Sequence, residues 1–209
     1  MDPQLEPIIK KAREILSIKG VKGIGKAAMC KACAITPEEF ENLIGTEADL
    51  VDKILEHERK SFNNIFDEYD FDGMNAIDIL IIVSLEVSKR FKFVNPAITF
   101  ELQTCYPEIY KKNFDDKVEF VFQKIQINLQ KGISQGMYRD DFSIELVSRH
   151  YMSKYIEFHN PESYPPEEFS FAMLFDIMFD SFIRGIANKE GIEYYEQRRQ
   201  LYATINFNR

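Results

Sequence analysis

Apolar residues recur at intervals of three and four along most of this chain, which is the rhythm of helices that bury one face. Ile8, Ile9, Ala12, Ile15 and Leu16 set it near the N-terminus; Val118, Val121, Phe122, Ile125 and Leu129 repeat it further on. Neither convincing runs of two-residue alternation nor internal repeats interrupt the pattern. The spacing therefore predicts an all-α chain of about ten helices. Further helices are expected over 76–93, 143–158 and 167–186, with short ones opening at Asn95-Pro96 and Tyr106-Pro107 and a last segment around 194–202.

The 209 residues, 45% hydrophobic and 29% charged, suffice for a small domain and a larger one. Net charge is -8, so any contact with nucleic acid has to be confined to a local basic patch. The longest apolar stretch, 77–87, is broken by Asp78, Ser84 and Glu86 and falls far short of the ~20 residues of a membrane span. The amphipathic, acidic start offers neither the n-region nor the cleavage site expected of a signal peptide. With three cysteines, an odd number, a reducing cytoplasm is the expected location.

The first 45 residues hold the densest local signals. A helix with one apolar face leads into a connection marked by Gly20, Gly23 and Gly25. A short segment from Lys26 to Cys33 follows, then a break at Ala34-Ile35. Thr36-Pro37-Glu38-Glu39 is a helix start: Thr36 caps, Pro37 suits the first position and Glu39 completes a capping box. Gly45 ends that helix, and Thr46-Glu47-Ala48-Asp49 starts the next one, which runs toward Asp67. Two short helices meeting at a tight corner behind a longer first helix make the helix-turn-helix layout, whose second short helix enters the DNA major groove.

On these residues the chain resembles the tetracycline-repressor (TetR) family of transcription regulators. The likeness rests on Ile8-Ile9-x-x-Ala12-x-x-Ile15-Leu16, the glycine after Lys19, the segment Met29 to Thr36, and Phe40, Ile44, Thr46 and Leu50. It continues more loosely through Gly132 to Asp140 and Phe182 to Ile186. The resemblance implies an N-terminal helix-turn-helix DNA-binding domain, 1–50, and a larger helical ligand-sensing and dimerisation domain, 51–209. It also implies a homodimer pairing through the 143–158 and 167–186 helices. A small-molecule effector would change the spacing of the two heads, which must match a helical turn of double-stranded operator DNA, ~34–36 Å, or a multiple.

Within that frame Lys22, Lys26 and Lys31 are assigned to phosphates, and Thr36, Pro37, Glu38, Phe40, Glu41 and Asn42 to the reading helix. Leu80, Leu85, Phe91, Phe100, Tyr110, Phe122 and Tyr151 are the candidate lining of an effector cavity suited to an apolar or aromatic ligand. The 167–186 segment carries Phe169, Phe171, Phe175, Phe179 and Phe182, and from Phe171 onward these form one aromatic stripe on a helix assigned to the dimer surface.

The head departs from the family pattern in its charge. Ala34 stands where glycine is usual, and Glu38, Glu39, Glu41 and Glu47 would lie near a polyanion, within the ~8 Å Debye length over which like charges repel appreciably. Against them, residues 1–31 hold seven cations and three acids, a local charge of +4. Glutamates in a first helical turn complement the helix dipole, and glutamate can also accept a hydrogen bond from cytosine N4. A dimeric sensor or interaction protein whose head no longer reads DNA, binding a basic partner instead, is the competing reading.

Other motifs lack the context their chemistry needs. Gly20 to Ala27 nearly spells a phosphate-binding loop, but Ala27 stands where a magnesium-binding hydroxyl belongs and a helix precedes it. Glu68 to Gly73 resembles half a calcium loop, with Ile79 where the bidentate Glu would be. Cys30 and Cys33 form an isolated C-x-x-C, read as small packed side chains, with a redox pair as the lesser alternative. His57, His150 and His159 are scattered and no catalytic constellation is present, so neither an enzyme nor a cofactor is expected.

Overall fold

The computed structural model describes residues 4–90, 96–160, 162–165 and 168–207. In order, the helices are α1 (Leu5–Lys19), α2 (Lys26–Cys33), α3 (Pro37–Leu43), α4 (Glu47–Asn63), α5 (Ile65–Glu68), α6 (Ala76–Arg90), α7 (Pro96–Cys105), α8 (Pro107–Ser134), α9 (Ile144–Glu157), α10 (Phe171–Ile186) and α11 (Lys189–Phe207). A 3-10 turn, Val21–Ile24, links α1 to α2. Among the described residues the β-structure is one isolated antiparallel bridge, Tyr138 with Ala187.

The chain divides into two compact units, Met1–Asn64 with Phe93–Lys117, and Ile65–Lys92 with Val118–Arg209. The first unit thus differs from the 1–50 domain expected from sequence: it keeps the whole of α4 and takes in α7, which returns after an excursion through α5 and α6. Its core gathers Ile8, Ile9, Ala12 and Leu16 of α1, Met29 of α2, Phe40 and Ile44 around α3, Leu50, Val51 and Ile54 of α4, and Leu102 of α7. Each fully buried large apolar side chain contributes about 1.5–3 kcal/mol. α4 stops at Asn63, short of Asp67, and the chain restarts as α5 at Ile65.

In the second unit α6 buries Ile77, Leu80, Ile81, Ser84 and Val87. The expected short helix at Pro107 and the long one after it form a single 28-residue helix, α8. Buried Asn128 on α8 donates to the Ala76 carbonyl at 2.9 Å and accepts from the Tyr138 hydroxyl at 2.9 Å. Tyr138 lies so close to Gly132 that a Cβ there would sit 2.0 Å from its ring, so glycine is required by close approach. α11 is tied to α6 by the Tyr194 hydroxyl, which donates to Asp78 at 2.6 Å, and by the Arg198–Asp78 ion pair at 3.0 Å.

α10 begins at Phe171, four residues later than expected, because Ser170 caps it by accepting the Met173 N–H at 3.2 Å. Glu167 and the side chain of Phe171 lie outside the described residues. Phe175 and Phe179 are buried and stacked 6.1 Å apart, Phe182 meets Tyr151 at 4.5 Å, and Phe169 lies edge-on to Tyr164. Of the described phenylalanines of α10, Phe175 and Phe179 are thus buried within their own unit and Phe182 is half-buried. No described helix is long and apolar enough to cross a membrane.

Candidate nucleic-acid interface

The corner between α2 and α3 is closed by backbone. Ala34 sits in the left-handed region, φ 54 and ψ 42, and its N–H bonds to the Cys30 carbonyl. The Ile35 N–H bonds to the same carbonyl at 3.1 Å. α3 then starts on a complete capping box. Thr36 Oγ1 accepts the Glu39 N–H at 3.1 Å, and the Glu39 carboxylate accepts the Thr36 N–H at 2.7 Å, with Pro37 in the first turn. The Thr36 N–H first, and the Thr36 hydroxyl beside the carboxylate second, hold the Glu39 carboxyl below its ordinary range. Thr46 and Asp49 repeat the arrangement at the start of α4.

Phe40 does not belong to the reading face. It is fully buried, the anchor by which α3 is held to the core, and a residue with no exposed surface cannot touch DNA. Pro37, Glu38, Glu39, Glu41 and Asn42 are exposed on α3, and Thr36 is exposed while serving as its cap.

Three of the four glutamates have tasks inside the head. Glu39 closes its capping box. Glu47 accepts the Lys26 N–H at 2.6 Å and so caps the N-terminus of α2. Glu41 forms an ion pair with the Lys26 ammonium. Lys26 is thus engaged within the head, by its N–H with Glu47 and by its ammonium with Glu41. Of the remaining cations in this stretch, Lys10 pairs with Glu6, Lys11 with Glu14 and Arg13 with Glu58. Among the described residues Lys19, Lys22 and Lys31 are exposed and outside these ion pairs. The outward surface of α3 itself carries Glu38 and Asn42.

The proposed effector residues are split between the units. Leu80, Leu85, Phe122 and Tyr151 lie in the second; Phe100 and Tyr110 lie in the first. Leu80 and Tyr151 are buried, Phe122 is half-buried with the Arg149 guanidinium over its ring at 5.5 Å, and Leu85 is exposed. Tyr110 stacks on Phe114 at 5.7 Å and packs against the first unit's core, while Phe100 is 55% exposed. Phe91 lies outside the described residues.

Sequence reasoning passed over Ser148, one turn before Tyr151 on α9. It is fully buried, and its hydroxyl has no hydrogen-bond partner among the described residues. Serine in a helix carries no sequence signal of that kind. Glu47 and Glu101 were likewise missed as structural acceptors, since their partners are backbone groups 21 and 80 residues away.

No family model and no curated protein matches the chain. Solved structures do. The fatty acid degradation regulator FadR from Bacillus halodurans superposes with a TM-score of 0.66 at 12% identity, covering 87% of this chain and 95% of that one. A TetR-family transcriptional regulator from Agrobacterium tumefaciens gives 0.66 at 13% identity, over 88% and 98%. A protein from Saccharomonospora viridis, described as a transcriptional regulator and solved in complex with choline, gives 0.61 at 13%, over 88% and 97%. Identities this low carry the likeness of architecture alone: the chain has the fold of the TetR-family transcriptional regulators.

Proposed function

We propose that this protein is a homodimeric, repressor-like DNA-binding transcriptional regulator whose hold on an operator is controlled by a small molecule in the second unit. The observation that carries the reading is the way α3 is presented. Its inner residue Phe40 is buried, its start is fixed by Thr36 and Glu39, its approach is fixed by two N–H bonds to the Cys30 carbonyl, and its other face is open. On that face Asn42 can read adenine and Glu38 can accept from cytosine N4. Lys22 and Lys31 supply the sequence-independent contacts to phosphate.

Dimerisation through α9 and α10 is supported by the apolar side chains those helices leave exposed, Leu146 at 68%, Ile156 at 44%, Met173 at 45% and Ile177 at 59%. Effector control is supported by the unpartnered Ser148 hydroxyl beside Tyr151, which would give an apolar or aromatic ligand one polar anchor. Choline in the Saccharomonospora viridis relative is an example of a small molecule held in this architecture.

The test is fluorescence anisotropy of the purified protein against DNA fragments flanking its own coding region, at low and at physiological salt. Tight binding to one fragment over the others, weakening linearly in logarithmic salt, supports the reading. Equal, weak binding to every fragment, or none at low salt, rejects it. The negative groups on α3 and the neutralised Lys26 favour the second reading, a head turned toward a basic partner, and that is the reading a negative result leaves standing.

A further inference from the structure

The two cysteines of α2 take no part in the function proposed above. Cys30 and Cys33 stand three residues apart on one helix, both free thiols, both partly buried against the first unit's core. Burial pushes the Cys33 thiol up, with Lys11 opposing and the neighbouring Cys30 adding to it.

Their spacing is close to, but not at, bonding geometry. Helix neighbours three apart hold their Cβ atoms about 5–6 Å from each other. A disulfide wants Cβ atoms about 3.5–4.5 Å apart, while tolerating the Cα separation of one helical turn. Joining the pair therefore tightens the last turn of α2 by about an ångström or more. That turn is the one whose Cys30 carbonyl accepts the N–H groups of Ala34 and Ile35, and Ala34 already occupies a conformation that L-residues resist. Rewinding the turn moves the carbonyl on which the lead into α3 depends.

We infer that Cys30 and Cys33 are a thiol–disulfide pair whose oxidation unlocks the corner between α2 and α3. The oxidant is a low-molecular-weight disulfide of the glutathione class. One cysteine thiolate attacks a sulfur of the oxidant, breaking its S–S bond, forming a mixed disulfide and expelling one small thiolate. The other cysteine thiolate then attacks the protein-side sulfur, closing the Cys30–Cys33 bond and expelling the second small thiolate. Two electrons pass from the protein dithiol to the oxidant, and the two protein protons end on the two released thiols. Reducing thiols run the sequence backwards.

The experiment uses the full chain carrying Cys105→Ser, which removes the exposed third thiol. The protein is equilibrated in glutathione buffers of increasing oxidised fraction, and each sample is read in two ways. Trypsin cuts after Lys31, between the two cysteines, so a Cys30–Cys33 bond keeps two peptides joined with the loss of two hydrogens. Hydrogen exchange then reports on the Ala34 and Ile35 amides. The expected result is joined peptides together with exchange at those amides faster by about tenfold or more, both reversed by dithiothreitol. Glutathione adducts without joined peptides at every ratio overturn the proposal, as does a joined pair with unchanged exchange at Ala34 and Ile35. Reduced and oxidised forms of one protein are compared, so no cysteine-free variant has to fold, and no DNA is involved, so the outcome is separate from that of the binding test above.

Discussion

The carboxylate of Glu101, on α7, accepts the backbone N–H of Val21 at 2.7 Å. It fastens the turn that follows α1 to a helix eighty residues further along the chain. The same carboxylate crowds Gly20, where φ is +68 and a Cβ would lie 2.5 Å from Glu101 Oε2. Glycine here answers both a left-handed backbone and a close approach. Glu101→Ala is expected to cost about 1 kcal/mol, the ordinary worth of one such bond, with Glu101→Gln retaining most of it. Gly20→Ala is expected to cost about 1–3 kcal/mol for its backbone conformation alone, φ 68 and ψ -169, and more for the crowding. In a double-mutant cycle by urea denaturation, the pair should cost less than the sum of the two, because removing the carboxylate relieves the clash.

The Lys26–Glu41 ion pair sets a second expectation. Glu41→Gln releases the Lys26 ammonium and removes a negative charge from α3. Affinity for DNA of any sequence should rise, and the slope of logarithmic affinity against logarithmic salt should steepen by about one phosphate contact. Anisotropy titrations at several salt concentrations measure it; an unchanged slope means that Lys26 does not reach phosphate even when released.

Ala34 offers a stabilising change. Its left-handed backbone costs an L-residue about 1–2 kcal/mol, against about 0.5–1 kcal/mol of added chain entropy when glycine is introduced. Ala34→Gly should therefore stabilise the first unit by several tenths of a kcal/mol or more, read as a shift of the urea midpoint at unchanged m-value.

The paired caps predict how the head responds to acid. Glu39 and Asp49 both have carboxyls held below their ordinary values of 4.5 and 3.8, chiefly by the backbone N–H of Thr36 and of Thr46, then by the threonine hydroxyls. A lowered folded pKa means that the unfolded chain binds the proton more readily. The stabilisation is thus complete above the ordinary value and is lost as pH falls through the lowered one. Hydrogen exchange at the Thr36 and Thr46 amides should be indifferent to protonation near neutrality, after correction for intrinsic rates, and lose protection only as pH falls through the lowered values of Glu39 and of Asp49. Glu39→Gln should abolish most of that pH dependence at Thr36 and leave Thr46 unaffected.

Dimerisation is open to a direct test. Ile177→Asp combined with Leu146→Asp places charges on the exposed apolar positions of α10 and α9. Light scattering after size exclusion should show the unaltered chain as a dimer and the double variant as a monomer with unchanged helical circular dichroism. A monomeric unaltered chain would contradict the proposed assembly.

Local chemistry made much of the head legible in advance. Thr36 and Thr46 each announce a helix within four residues, and the α1 stripe of Ile8, Ile9, Ala12 and Leu16 is buried as its spacing predicts. Phe40 was misassigned because a helix of seven residues is too short for periodicity to tell its inner face from its outer one. The internal contacts of Glu41 and Glu47 were not legible because their shared partner, Lys26, is distant in sequence. The start of α10 was misplaced because it is fixed by a cap, the Ser170–Met173 bond, which apolar periodicity does not report. The return of α7 to the first unit went unread for a related reason: it has no local signature in sequence.

That return bears on how far the head is modular. Leu102 fills the core and Glu101 holds the turn after α1, yet both arrive from beyond residue 93. A fragment cut at residue 64 would expose part of its hydrophobic interior and free the Val21 amide. Grafting this head onto another sensor by swapping the N-terminal stretch alone would therefore transplant an incomplete body; the donor's 93–117 segment has to travel with it.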